Sequence, residues 1–300
     1  MNKAITIGNF DGIHLGHRKL LSVLTAEAEA RELVSSVLTY TNHPAYTLFH
    51  PQQPMLLSPL NRKLDKLRIL GVQDTDLVVF DNNFAHISAE DFLKDYLIPK
   101  HSPQLIIVGF DSHFGYNREG TYEFLQQHSK KYNYDLIYVE PELHQGTPIS
   151  SSLIRTKLRA GAIELANRLL GEPYTMWGRV VRGKGLGRTL GFPTANLMLE
   201  EAQQLIPAKG IYLSRAQIGD KRYFGLTNLG TSPTVKSDAI LEIETFLIDF
   251  DADIYDCDMA VSLLSRIRDE KTFGSKEELI EAMHCDLQMG REMMEKYSEA

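Results

Sequence analysis

At 300 residues the chain exceeds one average domain, and 43% hydrophobic with 24% charged residues is a globular composition able to bury real cores. No apolar run approaches the ~20 residues of a membrane span, and the two cysteines, Cys257 and Cys285, are too few for a disulfide framework or a Cys-rich zinc site. The net charge of -7 divides as 17 Lys and Arg against 19 Asp and Glu over 1–172, and 15 against 20 over 173–300, so neither part has the basic excess of a chain that grips nucleic acid. The opening MNKAITIGNF lacks the long apolar region of a signal peptide. A reducing cytoplasm is the expected location, with no membrane and no nucleic acid as partners.

In chain order, Ala4–Gly8 reads as a short buried strand. His17–Leu33 reads as a helix with Leu20, Leu21, Leu24 and Ala28 on one face, and Val34–Tyr40 as a second strand. Arg62–Leu70 follows as a helix, Asp76–Phe80 as a strand, Ala89–Leu97 as a helix and Leu105–Gly109 as an almost wholly apolar strand. Thr121–Tyr132 and Leu136–Val139 continue the alternation as helix and strand. Continuously apolar strands separated by helices predict a parallel sheet covered on both faces. Ligands of such sheets bind beyond the carboxyl ends of the strands, and Gly8–His17 and Gly109–Arg118 each follow a strand directly.

Ser150–Leu170 reads as helix with turns, after which the pattern changes near residue 172. Trp177–Val181, Ile211–Ile218, Tyr223–Leu229, Leu241–Ile248 and Met259–Ile267 read as short strands broken by Gly and Pro. Partial period-two alternation in two of them suits antiparallel strands of a small barrel or sandwich. Ser275–Tyr297 closes the chain as a helix, with Ser275 as N-cap and Glu278 completing a capping box.

The stretch Gly8–His17, GNFDGIHLGH, joins a strand to a helix through three glycines. A helix start offers N–H groups and partial positive charge to phosphate oxygens, and Gly8, Gly12 and Gly16 permit close backbone approach. His14 and His17 have two readings from spacing alone: helix caps, or hydrogen-bond donors to a phosphoryl transition state. Neither the P-loop nor the dinucleotide glycine pattern is present. The second rich stretch is Arg182–Asn196, RGKGLGRTLGFPTAN, in which glycines and cations could cradle phosphate or form a solvated hairpin loop. Thr194 and Asn196 lie two apart, so on an extended strand they face the same way and offer hard oxygens to Mg²⁺. Glu242 and Glu244 interrupt the apolar stretch ILEIETFLIDF; on an edge strand they would face solvent, and in a phosphotransferase one would orient or deprotonate the acceptor alcohol.

The G-x-F-D-G-x-H-x-G-H pattern resembles the signature of the HxGH nucleotidyltransferases, specifically the adenylyltransferase module of the bacterial bifunctional riboflavin kinase/FAD synthetases. Ile149–Arg155 (ISSSLIR) is similar to that family's second motif, with Ser152 in place of the usual threonine, and Val108–Gly115 (VGFDSHFG) to a third segment. The C-terminal half resembles the family's riboflavin kinase module through GFPTAN, LGTSPTV, ETFLIDFDADIY and RIRDEKTFGS. Departures are Thr41 and Asn42 before His43 and Pro44, Ser112 where an aromatic is usual, and Asp256 in place of a glycine.

The resemblance implies an α/β, Rossmann-like nucleotidyltransferase domain over 1–172. A small antiparallel β-barrel with a terminal helix, the kinase, would follow over 173–300. It implies that Gly8, Asn9, Phe10, Asp11, Gly16, Ser151 and Ser152 bind ATP, with His14, His17, Asp111 and Arg155 at the adenylyl-transfer centre and His43 and Pro44 on the flavin side. In the second half, Gly183, Lys184, Gly185 and Gly187 would cover ATP, Phe192 and Pro193 the flavin, and Thr194 and Asn196 would hold Mg²⁺. The family's E-x(10)-Y spacing to Tyr255 selects Glu244 as base. Substrates and products would be ATP, riboflavin, FMN and FAD, with flavin-dependent apoenzymes as recipients. The rivals are a chain that retains the kinase alone, and a flavin- or RNA-binding regulator on the same scaffold.

Overall fold

The computed structural model describes residues 2–48, 55–183, 185–231 and 241–297. The chain divides into two compact units, Met1–Ser151 and Ser152–Ala300. The first carries β1 (Lys3–Ile7), β2 (Val34–Tyr40), β3 (Asp74–Val78), β4 (Pro103–Gly109) and β5 (Asp135–Val139) in one sheet of order β3-β2-β1-β4-β5. Every pairing in it is parallel. A parallel sheet needs helices on both faces, and its inner residues Ala4, Ile5, Val37, Leu38, Leu105 and Ile106 are fully buried. One face packs on Leu20, Leu21 and Leu24 of the helix Leu15–Ala30 and on Leu67 of the helix Leu60–Ile69. The other packs on Phe92, Leu93, Leu97 and Leu125. Because the chain leaves β1 toward β2 on one side and reaches β4 on the other, the crevice beyond β1 and β4 is the topological switch point where such sheets bind ligands.

Some boundaries differ from the sequence expectation for physical reasons. β3 begins two residues earlier than Asp76 and ends at Val78; Leu77 on this edge strand and Val79 just past it are 40% and 61% exposed. Apolar character there extends past the paired segment. The expected helix Ala89–Leu97 turns from α to π geometry over Phe92–Leu97, just before Pro99, which has no N–H to donate to the preceding turn. The two-residue strands β6 (Leu143–His144) and β7 (Thr147–Pro148) form a small hairpin before the unit ends.

The second unit opens with the helices Ser151–Arg159 (its first residue shared with the boundary) and Ile163–Leu170. The strands β8 (Tyr174–Val181), β9 (Thr194–Leu199), β10 (Gly210–Ile218), β11 (Lys221–Thr231), β12 (Leu241–Leu247) and β13 (Asp258–Arg268) then close into a barrel of order β10-β11-β12-β9-β8-β13. All of its pairings are antiparallel. Tyr212, Leu229, Val261 and Leu263 are fully buried, and the buried hydroxyls of Ser214, Thr227 and Thr245 satisfy one another in a chain, with Thr227 Oγ1 2.8 Å from Ser214 Oγ and 2.9 Å from Thr245 Oγ1. The terminal helix Lys276–Met294 packs Leu287, Met293 and Met294 against a further apolar cluster that includes Leu213, Leu226 and Leu264 of the barrel. Ser275 caps it as expected, accepting from Glu278 N. The Glu278 carboxylate accepts from Gly274 N, one residue outside the capping-box partner. Among the described residues no helix is long and apolar enough to cross a membrane.

Candidate active sites

In the first unit, the turn from β1 into the helix Leu15–Ala30 is tightly wound. Phe10 and Ile13 hold φ of 52° and 42°, and Gly12 79°. Bulky residues persist in the left-handed region only when their surroundings over-determine them, and Phe10 and Ile13 are both buried. A β-carbon on Gly8 would meet the Phe10 ring at 3.0 Å, and one on Gly16 the His14 ring at 3.2 Å. His14 is the N-cap: its Nδ1 accepts from His17 N (3.3 Å), so its ring proton sits on Nε2. The two rings stack at 3.7 Å. His17 Nδ1 is enclosed and has no hydrogen-bond partner among the described residues. Burial, then His14 and Lys63, holds the His17 pKa well below its ordinary value, so the ring is a neutral donor. Capping and a polar role at a ligand are thus compatible in one H-x-x-H.

Asp11 lines the site but also has a structural duty. Its buried carboxylate accepts from Leu57 N at 3.0 and 3.1 Å and from Ser58 N at 3.3 Å, which ties the loop to the segment before the helix Leu60–Ile69. Ser151 Oγ donates to the Asp11 carbonyl (2.9 Å), bringing the second motif onto the first across 140 residues. Ser152 and Arg155 belong to the second unit, where Arg155 is buried. A cavity of about 400 Å³ lies beyond the strand ends, lined by Gly8, Asn9, Phe10, Asp11, His17 and Ser151 on one side. Asp111, Pro44 and the aromatics Tyr40, Phe80, Phe84 and Phe92 line the rest.

These aromatics were not among the residues that the motifs singled out. Their signal was the run of rings in VVFDNNFAHI, packed edge to face at 5.1–6.1 Å. His43 is not a lining residue of this cavity; its Nδ1 accepts from Ala45 N. The departures from the family pattern have local explanations. Asn42 pairs with both backbone groups of Phe80, at 2.9 Å each, clamping the end of β2 to the chain after β3. Ser112 Oγ accepts from Gly109 N and fixes the turn after β4.

In the barrel, register assembles the second site. Glu244 lies opposite Asn228 on β11 and opposite Asn196 on β9, so the three side chains form a row on one face. Thr194 and Phe246, opposite each other and two residues along, share that face, as does Glu242 opposite Gly230. The glycine loop presses onto this row. A β-carbon on Gly183 would stand 2.3 Å from Asn196 Nδ2, and one on Gly187 3.2 Å from Thr194 Oγ1. Lys184 lies outside the described residues.

Thr194 borders two cavities. One, of about 370 Å³, is lined by Glu244, Glu242, Asn228 and the apolar Phe192, Phe246 and Phe273. The other, of about 500 Å³, is lined by Pro193, Arg188, Tyr255 and the chain at Asp251–Ile254. Pro193 therefore faces away from the cavity that holds Phe192. The Arg182 guanidinium sits 4.4 Å over the Tyr255 ring, and Arg188 donates to its hydroxyl at 3.4 Å. Asp256 has φ 62°, the left-handed conformation for which the family uses glycine and which aspartate tolerates.

The FAD synthetase family model matches residues 1–153, and the riboflavin kinase family model matches residues 170–294. The bifunctional riboflavin kinase/FMN adenylyltransferase of Escherichia coli (strain K12) is 38% identical over 276 residues, covering 92% of this chain and 87% of the relative. That of Bacillus subtilis (strain 168) is 35% identical over 287 residues, covering 95% and 90%. A solved structure from Streptococcus pneumoniae, described as a macrolide-efflux protein, superposes with a TM-score of 0.88 at 32% identity, covering 97% of this chain and 94% of that one.

Proposed function

The chain belongs to the bifunctional riboflavin kinase/FMN adenylyltransferase family, and from that premise we propose how its residues divide the two reactions. It phosphorylates riboflavin to FMN and adenylylates FMN to FAD, with ATP as co-substrate of both. A kinase-only chain and a flavin- or RNA-binding regulator are not favoured, since both enzyme modules match. We assign the adenylyltransferase to 1–172 and the kinase to 173–300.

The observation that carries the kinase assignment is the row Asn228–Glu244–Asn196 beside Thr194, under the glycine loop. Riboflavin occupies the aromatic cavity with its 5′-hydroxyl toward Glu244. The hydroxyl proton passes to the carboxylate as its oxygen bonds to the γ-phosphorus, and the bond to the β–γ bridging oxygen breaks to release ADP. Glu244 rather than Glu242 takes this role because it is the carboxylate directly opposite Asn196. ATP occupies the cavity of Arg188 and Tyr255, and the resemblance assigns Gly183, Lys184, Gly185 and Gly187 to its phosphates.

A hydroxyl and an amide oxygen on one face of β9 fit Mg²⁺, which takes hard ligands and retains waters. Among the described residues no three His, Cys, Asp or Glu side chains form a metal cage, so Thr194 and Asn196 would share the ion with phosphate and water. When bound, it neutralises charge on the transferring phosphates.

In the first unit an FMN phosphate oxygen attacks the α-phosphorus of ATP and pyrophosphate leaves. His14 and His17 donate to the phosphates as neutral rings, Gly8–Asp11, Gly16 and Ser151 shape the anion side, and Asp111 borders the transfer centre. The resemblance assigns Ser152 and Arg155 to the same phosphates and His43 with Pro44 to the flavin side. Neither step needs a covalent enzyme intermediate; positioning and charge stabilisation serve both, and the kinase step adds Glu244 as base.

Incubation with riboflavin, ATP and Mg²⁺, with chromatographic separation of riboflavin, FMN and FAD, tests this reading. Glu244→Gln should lower FMN formation by ~10²–10⁴-fold and leave FAD formation from added FMN intact, while His17→Ala should do the reverse. Loss of both activities in either variant would overturn the division of residues.

A further inference from the structure

The sequence places Lys63 in Arg-Lys-Leu-Asp-Lys, within the helix expected over Arg62–Leu70, and lysines are almost never fully buried unless paired. Lys63 is instead buried. Its Nζ donates to the Asn9 carbonyl at 3.1 Å, to Thr39 Oγ1 at 3.1 Å and to the Tyr40 carbonyl at 3.0 Å. An ammonium group has three donors, and all three are used to join the loop after β1 to the end of β2. Gly8, Asn9, Phe10 and Asp11 line the cavity and Lys63 does not, so the loop lies between the ammonium and the ligand space.

We infer that protonated Lys63 is a positioning residue for adenylyl transfer, holding the Gly8–Asp11 loop in its anion-binding form from behind. The inference rests on the adenylyltransferase reading of the first unit. Its geometry follows from the planar trans peptide, in which C=O and N–H point in opposite directions. Pinning the Asn9 carbonyl to the ammonium turns the Phe10 N–H to the other side of the loop, and it holds Phe10 in its left-handed conformation. The buried cation also adds a fixed positive charge beneath a site for triphosphate. A neutral amine offers two donors to three buried acceptors, so loss of the proton releases one of the three anchors.

The charged groups facing Lys63 are Asp11, which favours its protonated form, and His17, whose protonation it opposes. Burial outweighs Asp11 and brings Lys63 down to about 8, within reach of an ordinary pH titration.

The test measures FAD formation from FMN and ATP by the full chain between pH 7 and 9, with FMN formation from riboflavin as the check on folding. The wild type should lose kcat/KM for ATP as pH rises through about 8. Lys63→Gln, uncharged throughout, should start roughly 10- to 100-fold lower and lack that alkaline limb, with FMN formation unchanged. Lys63→Met, which fills the volume without donors, should be lower still. A lysine that merely supported folding would shift the melting temperature and leave the limb in place. FAD formation within about twofold of wild type in the Gln and Met variants, or a wild-type rate flat across pH 8, overturns the inference. Failure of the wild type to make FAD at all overturns instead the reading on which it rests.

Discussion

Alanine at position 183 should cut FMN formation by roughly a hundredfold while FAD formation from added FMN stays at the wild-type rate. A β-carbon there would lie 2.3 Å from Asn196 Nδ2, 2.5 Å from its Cγ and 2.6 Å from its Oδ1. Ordinary van der Waals contact begins at 3.4 Å, so the amide must retreat by about 1 Å. A displacement of that size in a positioning group costs on the order of 10²-fold in rate. Gly183 is not in the left-handed region, so the expected loss comes from collision and not from backbone strain. Gly185 is the contrasting control: its φ is +74°, and nothing lies within 4 Å of its would-be β-carbon. Alanine there strains the backbone by about 1 kcal/mol without touching Asn196. Initial rates of both reactions, resolved by chromatography, read the difference. If Gly183→Ala stays within about threefold of wild type, and Gly185→Ala falls further, Asn196 does not hold this position in the working enzyme.

Two further outcomes follow from buried charge. Arg268 and Asp286 form a bidentate pair at 2.8 and 2.7 Å, with side chains 17% and 6% exposed, along the aromatic cavity of the barrel. Asp286→Ala, leaving the guanidinium unpaired, should destabilise the second unit by about 3–5 kcal/mol in denaturant unfolding and raise the KM for riboflavin. Arg268→Met combined with Asp286→Leu should recover most of that stability, and a single variant as stable as wild type would contradict the pairing. His17 stays neutral in the folded state because of burial first, and then His14 and Lys63, whereas in the unfolded chain it takes up a proton near pH 6.5. The unfolded state therefore binds more protons below that pH, and stability falls as pH drops through it, by at most about 1.4 kcal/mol per pH unit for this group. His17→Asn should flatten the fall between pH 7 and 5 in denaturant midpoints; an unchanged slope would show that His17 is not the group responsible.

Where contacts are local or periodic, the sequence announced them. The almost wholly apolar run Leu105–Gly109 and the strand-like Val34–Tyr40 became inner strands of a parallel sheet, and Ser275 stands at its helix N-cap. Thr194 and Asn196, two apart, do share a face. Contacts that join distant segments were silent. Lys63 carries the charge of a solvated helix residue, and only pairing with Asn9 and Tyr40, 54 and 23 positions away, reveals its burial. Asp11 read as a ligand to ATP, while its bonds to Leu57 and Ser58 arise from chain crossing that no local pattern encodes. Glu242 and Glu244 are equivalent by period; the spacing to Tyr255 in the family pattern selects Glu244, and the alignment of β12 with β9 gives that choice a physical reason by placing Glu244 opposite Asn196.

The closed barrel gives that alignment a further significance. Side chains on a strand alternate between faces, so sliding β12 by one residue would turn Glu244 inward and bring Ile243 and Thr245 to the outer face. In an open sheet such a slip could be absorbed at a free edge. Here β12 is bonded on both sides, to β11 and β9, and the ring of six strands has no end at which to discard an offset. The buried hydroxyls of Thr245 and Thr227 would also lose each other. Closure of this barrel and placement of the Glu244 carboxylate therefore depend on one and the same register.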